Sequence, residues 1–218
     1  MKMAENSISS FRNRTKSLLI SSWKIIGIPF GVVLFFFLGI FILRNKLPFS
    51  PGVLTTDPME TADLPFYFGL FSDIGVMIMS SASALNFFGA SLSGRKHPQF
   101  NFMIVSGIFT LWLALDDLFM IHDRLLPNHL HVPEAVSYLG YFLIMIAYLL
   151  YFAHDIVSST NYTLLFFALA AFGISGLIIL FWEAGFPKDG AKFLGIIYWF
   201  AYYFDSTKKF LQERRHMT

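Results

Sequence analysis

The chain lacks cysteine altogether and carries little charge. Without cysteine, disulfide bonds, thiolate metal sites and a cysteine nucleophile are excluded, and the redox compartment stays undecided. Only 14% of the 218 residues are charged, whereas a soluble domain carries about a quarter. The net charge of +2 is too small to favour nucleic-acid binding, so the sequence predicts no nucleic-acid partner.

Apolar residues are abundant instead, since 56% of the chain is hydrophobic and 27 residues are Phe. A bilayer core of about 30 Å requires roughly 20 apolar residues in one helix. The segments of that kind are 25–43, 64–90, 102–122, 135–152, 162–182 and 190–204. The first is longer than the apolar core of a signal peptide, so we interpret it as a retained anchor. The predicted fold class is all-α, a polytopic membrane protein with a six-helix transmembrane bundle.

Basic residues predict the orientation of this bundle, because cytoplasmic loops carry an excess of Lys and Arg. With the N-terminus inside, eleven of the sixteen basic residues are cytoplasmic, namely Lys2, Arg12, Arg14, Lys16, Lys24, Arg95, Lys96, Lys208, Lys209, Arg214 and Arg215. Both termini are therefore expected in the cytoplasm. We expect a single transmembrane domain, with a basic arm at 1–24, the bundle at 25–206 and a basic tail at 207–218. The predicted location is the cell membrane, as a multi-pass protein of the bacterial inner membrane.

Ionisable side chains inside a membrane cost several kcal/mol unless they are paired or hydrated. The predicted topology places four acids, from four different spans, in or at the edge of the outer half of the bilayer. Asp73 lies about 13 Å below the outer end of the second span, and Asp116 about 9 Å below that of the third. Glu183 ends the fifth span outside, and Asp189 begins the sixth. This convergence predicts one polar site in the outer half of the membrane.

The densest group of such residues is Leu-Asp-Asp-Leu-Phe-Met-Ile-His-Asp at 115–123. On a regular helix, Asp116 and Asp123 share a face but stand roughly 10 Å apart along the axis. Asp117 and His122 point in other directions, so one ion cannot contact all four side chains. A metal site at this point therefore requires acids from neighbouring helices or a break in the third helix.

This segment, together with Asp-Gly-Ala-Lys-Phe-Leu-Gly-Ile at 189–196, resembles a group of uncharacterised bacterial multi-pass membrane proteins. The resemblance covers the third to the sixth span and implies no particular activity. The chain is also loosely similar to intramembrane zinc hydrolases of the alkaline ceramidase and adiponectin-receptor type, which join Ser, Asp and His residues from several helices. It has six predicted spans instead of their seven, and it lacks a His-x-x-x-His motif near its end.

Three classes of function fit these observations. The first is a metal-dependent hydrolase of lipid-like substrates, in which a divalent ion such as zinc activates water. Its catalytic residues would be Asp116, Asp117 and Asp73, and its metal ligands His122, Asp116, Glu183 and Asp189. The second class is a proton- or ion-coupled transporter with Asp73 and Asp116 as titrating sites.

The third class is a non-catalytic subunit or assembly factor of a membrane complex, in which the buried charges pair with one another. Its expected partners are membrane lipids and either a second copy of the chain or another membrane protein. Under this interpretation Asp117 forms an ion pair with Lys192. The tyrosines of the fourth span lie within an arc of roughly 140°. They are Tyr138, Tyr141, Tyr148 and Tyr151. This face either lines a polar cavity, binds lipid head groups, or packs in the bundle with hydroxyls bonded across helices and the end tyrosines at the interface.

Overall fold

The computed structural model divides the chain into two units, residues 1–68 and 69–218. In the first unit the structure describes residues 34–35, 38–39, 41–42, 62–63 and 65, and in the second 69–181 and 186–217. The described residues of the predicted first span, 25–43, are helical. The rest of that span lies outside the described residues.

The described part of the second unit is all α, as predicted. Its α-helices, in chain order, are α1 (Leu70–Ser93), α2 (Phe100–Leu118), α3 (Leu126–Leu130), α4 (Glu134–Tyr151), α5 (Ala153–Ser159), α6 (Tyr162–Phe181) and α7 (Phe186–Met217). A π-helical turn, Ile121–Leu125, lies between α2 and α3. Pro133 directly precedes α4, where its fixed φ and missing N–H favour a helix start.

Two of these helices, α1 and α2, are long and apolar enough to cross a membrane. The pair α4 and α5 makes a third if it is one span, although the two helices meet at an angle of 61°. Helix α6 contributes a shorter apolar stretch, Tyr162–Ile178. The described residues thus contain two or three helices suited to a bilayer, which is compatible with a membrane location.

Helix α1 packs against α2 and α7, and α6 packs against α7. Small residues permit close approach, since helix association in lipid depends on van der Waals contact of the backbones. The Ser83 hydroxyl of α1 donates a hydrogen bond of 2.8 Å to the Gly107 carbonyl of α2. The largest fully buried side chains are Trp199, Tyr202, Tyr203, Phe102, Phe210 and Met103.

Several helix boundaries depart from the predicted ones. Helix α1 begins at Leu70 after Gly69, which has a positive φ of 71°, so it starts later than the predicted residue 64. Helix α2 ends at Leu118, four residues before the predicted end at 122. Helix α7 continues to Met217, and most of the predicted basic tail, 207–218, is therefore helical. Its Lys, Glu and Arg residues are strong helix formers.

Gly94, His97 and Gln99 lie between α1 and α2. We call this side of the helices the His97 end. The other side, where α2 finishes and α1 and α7 begin, is the Asp116 end.

Candidate functional site

The candidate site lies at the Asp116 end, where the chain changes direction after α2. Met120 adopts the left-handed conformation, with φ 47° and ψ 45°. Leu125 N–H then donates to the Met120 carbonyl at 3.2 Å, the wider spacing of a π-helix. This break turns the chain back on itself, so that His122 faces Asp116. The sequence left open a break in the third helix, and the structure contains one.

Asp116 is 4% exposed and accepts hydrogen bonds from two neighbouring elements. Its Oδ1 accepts from the His122 backbone N–H at 3.1 Å and from the Tyr141 hydroxyl of α4 at 2.6 Å. Its Oδ2 lies 2.5 Å from Nδ1 of the His122 ring. A buried carboxylate is stable when donors of this kind replace the water it has lost.

His122 lies between two carboxylates, because its Nε2 is 3.2 Å from Oδ1 of Asp123. The residue follows the end of α2 and so lies outside that candidate span. Burial lowers the pKa of His122, but hydrogen bonds to Asp116 and Asp123 raise it more, and the pKa reaches about 9. The bond to His122 in turn lowers the pKa of Asp123, although burial opposes this. At neutral pH the ring is therefore an imidazolium ion that donates from both nitrogens.

A second network surrounds the neighbouring residue, Asp117. Lys192 Nζ of α7 forms an ion pair with Asp117 Oδ1, and this confirms the predicted pairing. The Ser72 hydroxyl of α1 donates to Asp117 Oδ2 at 3.3 Å. The ion pair is partly open to solvent, with side-chain exposures of 37% for Lys192 and 16% for Asp117. Asp117 thus joins α1, α2 and α7 at one point.

The other predicted site residues lie apart from these networks or outside the described chain. Asp73 is exposed in the first turn of α1. The prediction that it lies about 13 Å from the start of its helix is wrong, because α1 begins only at Leu70. Asp189 is exposed in the first turn of α7. Glu183 lies outside the described residues. Within the described chain, no group of three or more His, Asp or Glu residues is arranged to hold a metal ion.

Sequence reasoning missed the residues of α2 and α7 that take part in a series of polar contacts nearer the middle of the helices. The Tyr148 hydroxyl of α4 lies 2.7 Å from the Ser106 hydroxyl of α2 and 3.0 Å from the Tyr203 hydroxyl of α7. Trp199 Nε1 donates to the Thr110 hydroxyl at 3.1 Å. Tyrosine and tryptophan carry a polar group on an apolar body, so hydropathy counts them as span residues. The predicted bonding of tyrosine hydroxyls across helices is confirmed for Tyr148 and, through Asp116, for Tyr141.

Chemically, the site consists of carboxylates paired with cationic side chains, and it does not leave the His122 ring free to coordinate a metal ion. A metal-binding histidine usually gives one nitrogen to a carboxylate and the other to the ion, whereas both nitrogens of His122 face carboxylates. An imidazolium cannot act as a base or bind a metal, but it can donate a proton. The arrangement therefore suits helix cross-linking and, secondarily, general-acid chemistry by His122.

Fold and site together define an all-α protein with helices able to cross a membrane and with paired charges where one of those helices ends. The chain belongs to the family called domain of unknown function DUF8692, whose family model matches residues 27–206. No curated protein and no solved structure matches the chain.

Proposed function

We propose that this chain is a multi-pass protein of the cell membrane that acts as a non-catalytic subunit or assembly factor of a membrane complex. In this proposal it crosses the membrane six times with both termini in the cytoplasm. The charged residues at the Asp116 end hold the helices together through ion pairs and hydrogen bonds. The outward apolar faces of the helices contact lipid and a partner protein.

The observation that carries the proposal is that the two adjacent acids at the end of α2 both find their partners within the chain. Asp116 is hydrogen-bonded to His122 and Tyr141. Asp117 forms an ion pair with Lys192 and a hydrogen bond with Ser72. A carboxylate that must bind and release an ion or a proton needs an exchangeable face. Here the oxygens are used by the protein's own donors, as expected of charges that hold a structure together.

Outward apolar surface supports the same proposal. Helix α4 exposes Val136, Leu139, Phe142, Leu143, Ile144 and Leu150. A soluble protein rarely leaves such a face uncovered, whereas lipid or a neighbouring membrane helix covers it at little cost. This surface lies on the same helix that supplies Tyr141 to the buried Asp116.

An enzyme is the second candidate, and the Asp116–His122 pair favours one that uses the His122 imidazolium as a general acid. Catalytic histidines are commonly oriented by a buried carboxylate on one ring nitrogen, as Asp116 does through Oδ2. The Nε2 side of His122 meets Asp123, whose side chain is 46% exposed, so a substrate could reach that side. Hydrolysis of a lipid-like substrate with a divalent ion stays a prediction. Of the predicted metal ligands, Glu183 lies outside the described residues.

Purification from native membranes in mild detergent separates the two candidates. A non-catalytic subunit co-purifies with a membrane protein in fixed ratio, and Asp116→Asn lowers the yield of that assembly together with the stability of the chain. Metal analysis of the same preparation provides the contrast. A pure, partner-free chain with one bound metal ion, lost in Asp116→Asn, would overturn the proposal in favour of the enzyme.

A further inference from the structure

Four buried polar atoms belong to the His97 end of α1, to the turn that follows it and to α7. They are Asn86 Oδ1, Ser93 Oγ, His97 Nε2 and Thr207 Oγ1, and they have no hydrogen-bond partner in the part of the chain that the structure describes. Each of these residues is at least nine-tenths buried. A buried polar atom without a partner costs about 1–3 kcal/mol, so four of them in one region require an explanation.

Helix geometry defines a seam between α1 and α7 at Gly89, with Asn86 about one turn before it and Ser93 about one turn after it. Asn86 and Ser93 are seven residues apart and so lie about 20° apart on the same face of α1. Between them, a Cβ on Gly89 would lie 2.7 Å from Thr207 Cγ2 and 3.6 Å from Thr207 Oγ1. The Thr207 hydroxyl therefore approaches α1 midway between Asn86 and Ser93.

His97 extends the seam by another turn. Its ring centroid lies 6.2 Å from that of Phe210, which is one turn beyond Thr207 on α7. Its Nδ1 accepts a hydrogen bond from the Gln99 backbone N–H at 3.3 Å. In the neutral ring, Nε2 then carries the proton and requires an acceptor.

The chemistry of the four atoms identifies the ligand class. His97 Nε2 is a donor and Asn86 Oδ1 is an acceptor, because the Asn86 amide nitrogen already donates to the Ala82 carbonyl at 3.0 Å. Ser93 and Thr207 hydroxyls serve in either role. A cation would require acceptors only, and an anion donors only, whereas water satisfies both kinds.

We propose that the seam between α1 and α7, lined by Asn86, Ser93, His97 and Thr207, is a binding site for internal water. A buried water makes about three hydrogen bonds, so these atoms would hold about one or two molecules. The site is independent of the charge cluster at the Asp116 end and of the proposed function. It gives α1 and α7 a hydrated contact within otherwise apolar packing.

Isosteric removal of one hydroxyl tests the proposal in the full-length protein in detergent. If water bonds to the Thr207 hydroxyl, the variant Thr207→Val leaves that water with one hydrogen bond fewer. The melting temperature then falls by about 2–4 °C. If the hydroxyl is dry and unpaired, the same variant raises the melting temperature or leaves it unchanged. The matched control is Thr110→Val, which removes the acceptor of Trp199 Nε1 and must lower the melting temperature in either case.

Radiolytic footprinting is the second measurement, because hydroxyl radicals formed from bound water label side chains that bulk solvent does not reach. Phe210, which is 0% exposed, should be labelled more than Phe109, which is 8% exposed and lies away from the seam. A higher or unchanged melting temperature for Thr207→Val, or labelling of Phe210 no greater than that of Phe109, overturns the proposal. A melting temperature of the unsubstituted protein that rises with sodium at constant ionic strength would assign the seam to a cation and likewise overturn it.

Discussion

Asp116 shows what a single acid needs in order to be buried beside apolar helices. The residue is 4% exposed, and its two carboxylate oxygens accept hydrogen bonds from the His122 backbone, the His122 ring and the Tyr141 hydroxyl. Hydrogen bonds to a charged group contribute about 1.5–3 kcal/mol each, which offsets the loss of water. Asp73, by contrast, is exposed in the first turn of α1, where a helix N-terminus favours negative charge without burial.

Asp116→Asn should destabilise the protein by about 2–3 kcal/mol, because the imidazolium of His122 loses the charged acceptor of its shortest bond. Denaturation followed by tryptophan fluorescence measures the change. Asp73→Asn is the matched control, and it should change stability by no more than about 0.5 kcal/mol. Equal effects of the two substitutions would show that burial of Asp116 has no energetic role.

His122 makes stability depend on pH in a defined window. Its pKa is about 9 in the folded chain and 6.5 for the unperturbed ring. A raised pKa means that the folded state holds the proton more tightly, so the stabilisation is complete below about pH 6.5 and is lost as the pH rises through 9. The loss should be on the order of 1–2 kcal/mol once solvent screening is included. In His122→Gln, the slope of melting temperature against pH should disappear between pH 6.5 and 9; a persisting slope would assign it to another group.

Among the elements, the break after α2 has the largest effect on the site. A regular helix would leave His122 and Asp116 on different faces, whereas the left-handed Met120 and the π-helical turn bring them together. The residues at the break, Leu118 to Ile121, are all apolar, so hydropathy predicts a helix that continues through them. The sequence therefore identified the acids and the histidine as candidate site residues. The contact between Asp116 and His122 depends on a backbone conformation that the apolar residues at the break do not predict.

Helix α1 depends on Gly89 for its contact with α2 and α7. A Cβ at this position would lie 2.7 Å from Thr207 Cγ2 and 3.1 Å from Met103 Sδ, and a β-branched threonine cannot easily rotate away. Gly89→Ala should therefore lower stability by about 1–3 kcal/mol. In Gly140→Ala, where nothing lies within 4 Å, the higher helix propensity of alanine should leave stability equal or up to about 1 kcal/mol higher. A neutral Gly89→Ala would contradict the close packing of the three helices.

At the scale of the whole molecule, hydropathy predicted the all-α class and the long helices α1, α2, α4, α6 and α7, but not the short helices α3 and α5. The positions of the charges in the predicted topology also led to the Asp117–Lys192 pair, because an acid and a lysine at the same end of two helices attract one another. Two results could not be read from the chain. Hydropathy counts Trp199, Tyr202 and Tyr203 as apolar, yet their polar atoms form hydrogen bonds with other helices or, for Tyr202, with the turn after α5. Hydropathy also ends the last span at Phe204, whereas α7 continues for another thirteen residues to Met217.

The proposed topology can be tested because the chain has no cysteine of its own. Lys96→Cys, in the predicted cytoplasmic loop, and His129→Cys, in the predicted outer segment, both replace exposed side chains. A membrane-impermeant maleimide applied to intact cells should label His129→Cys, and it should label Lys96→Cys only after the membrane is opened. The reverse result would invert the orientation, and labelling of both in intact cells would place the two segments on the same outer side.

Pairing of Asp117 with Lys192 inside one chain is the central claim, and cross-linking in native membranes measures it most directly. The double variant Asp117→Cys with Lys192→Cys is treated with a short bifunctional thiol reagent, and Asp117→Cys with Lys208→Cys is the control. Lys208 lies sixteen residues further along α7, which is about 24 Å of helix. We predict a cross-link within single chains for the first pair and none for the control. Cross-linked dimers without an intramolecular product, or equal yields for both pairs, would contradict the claim.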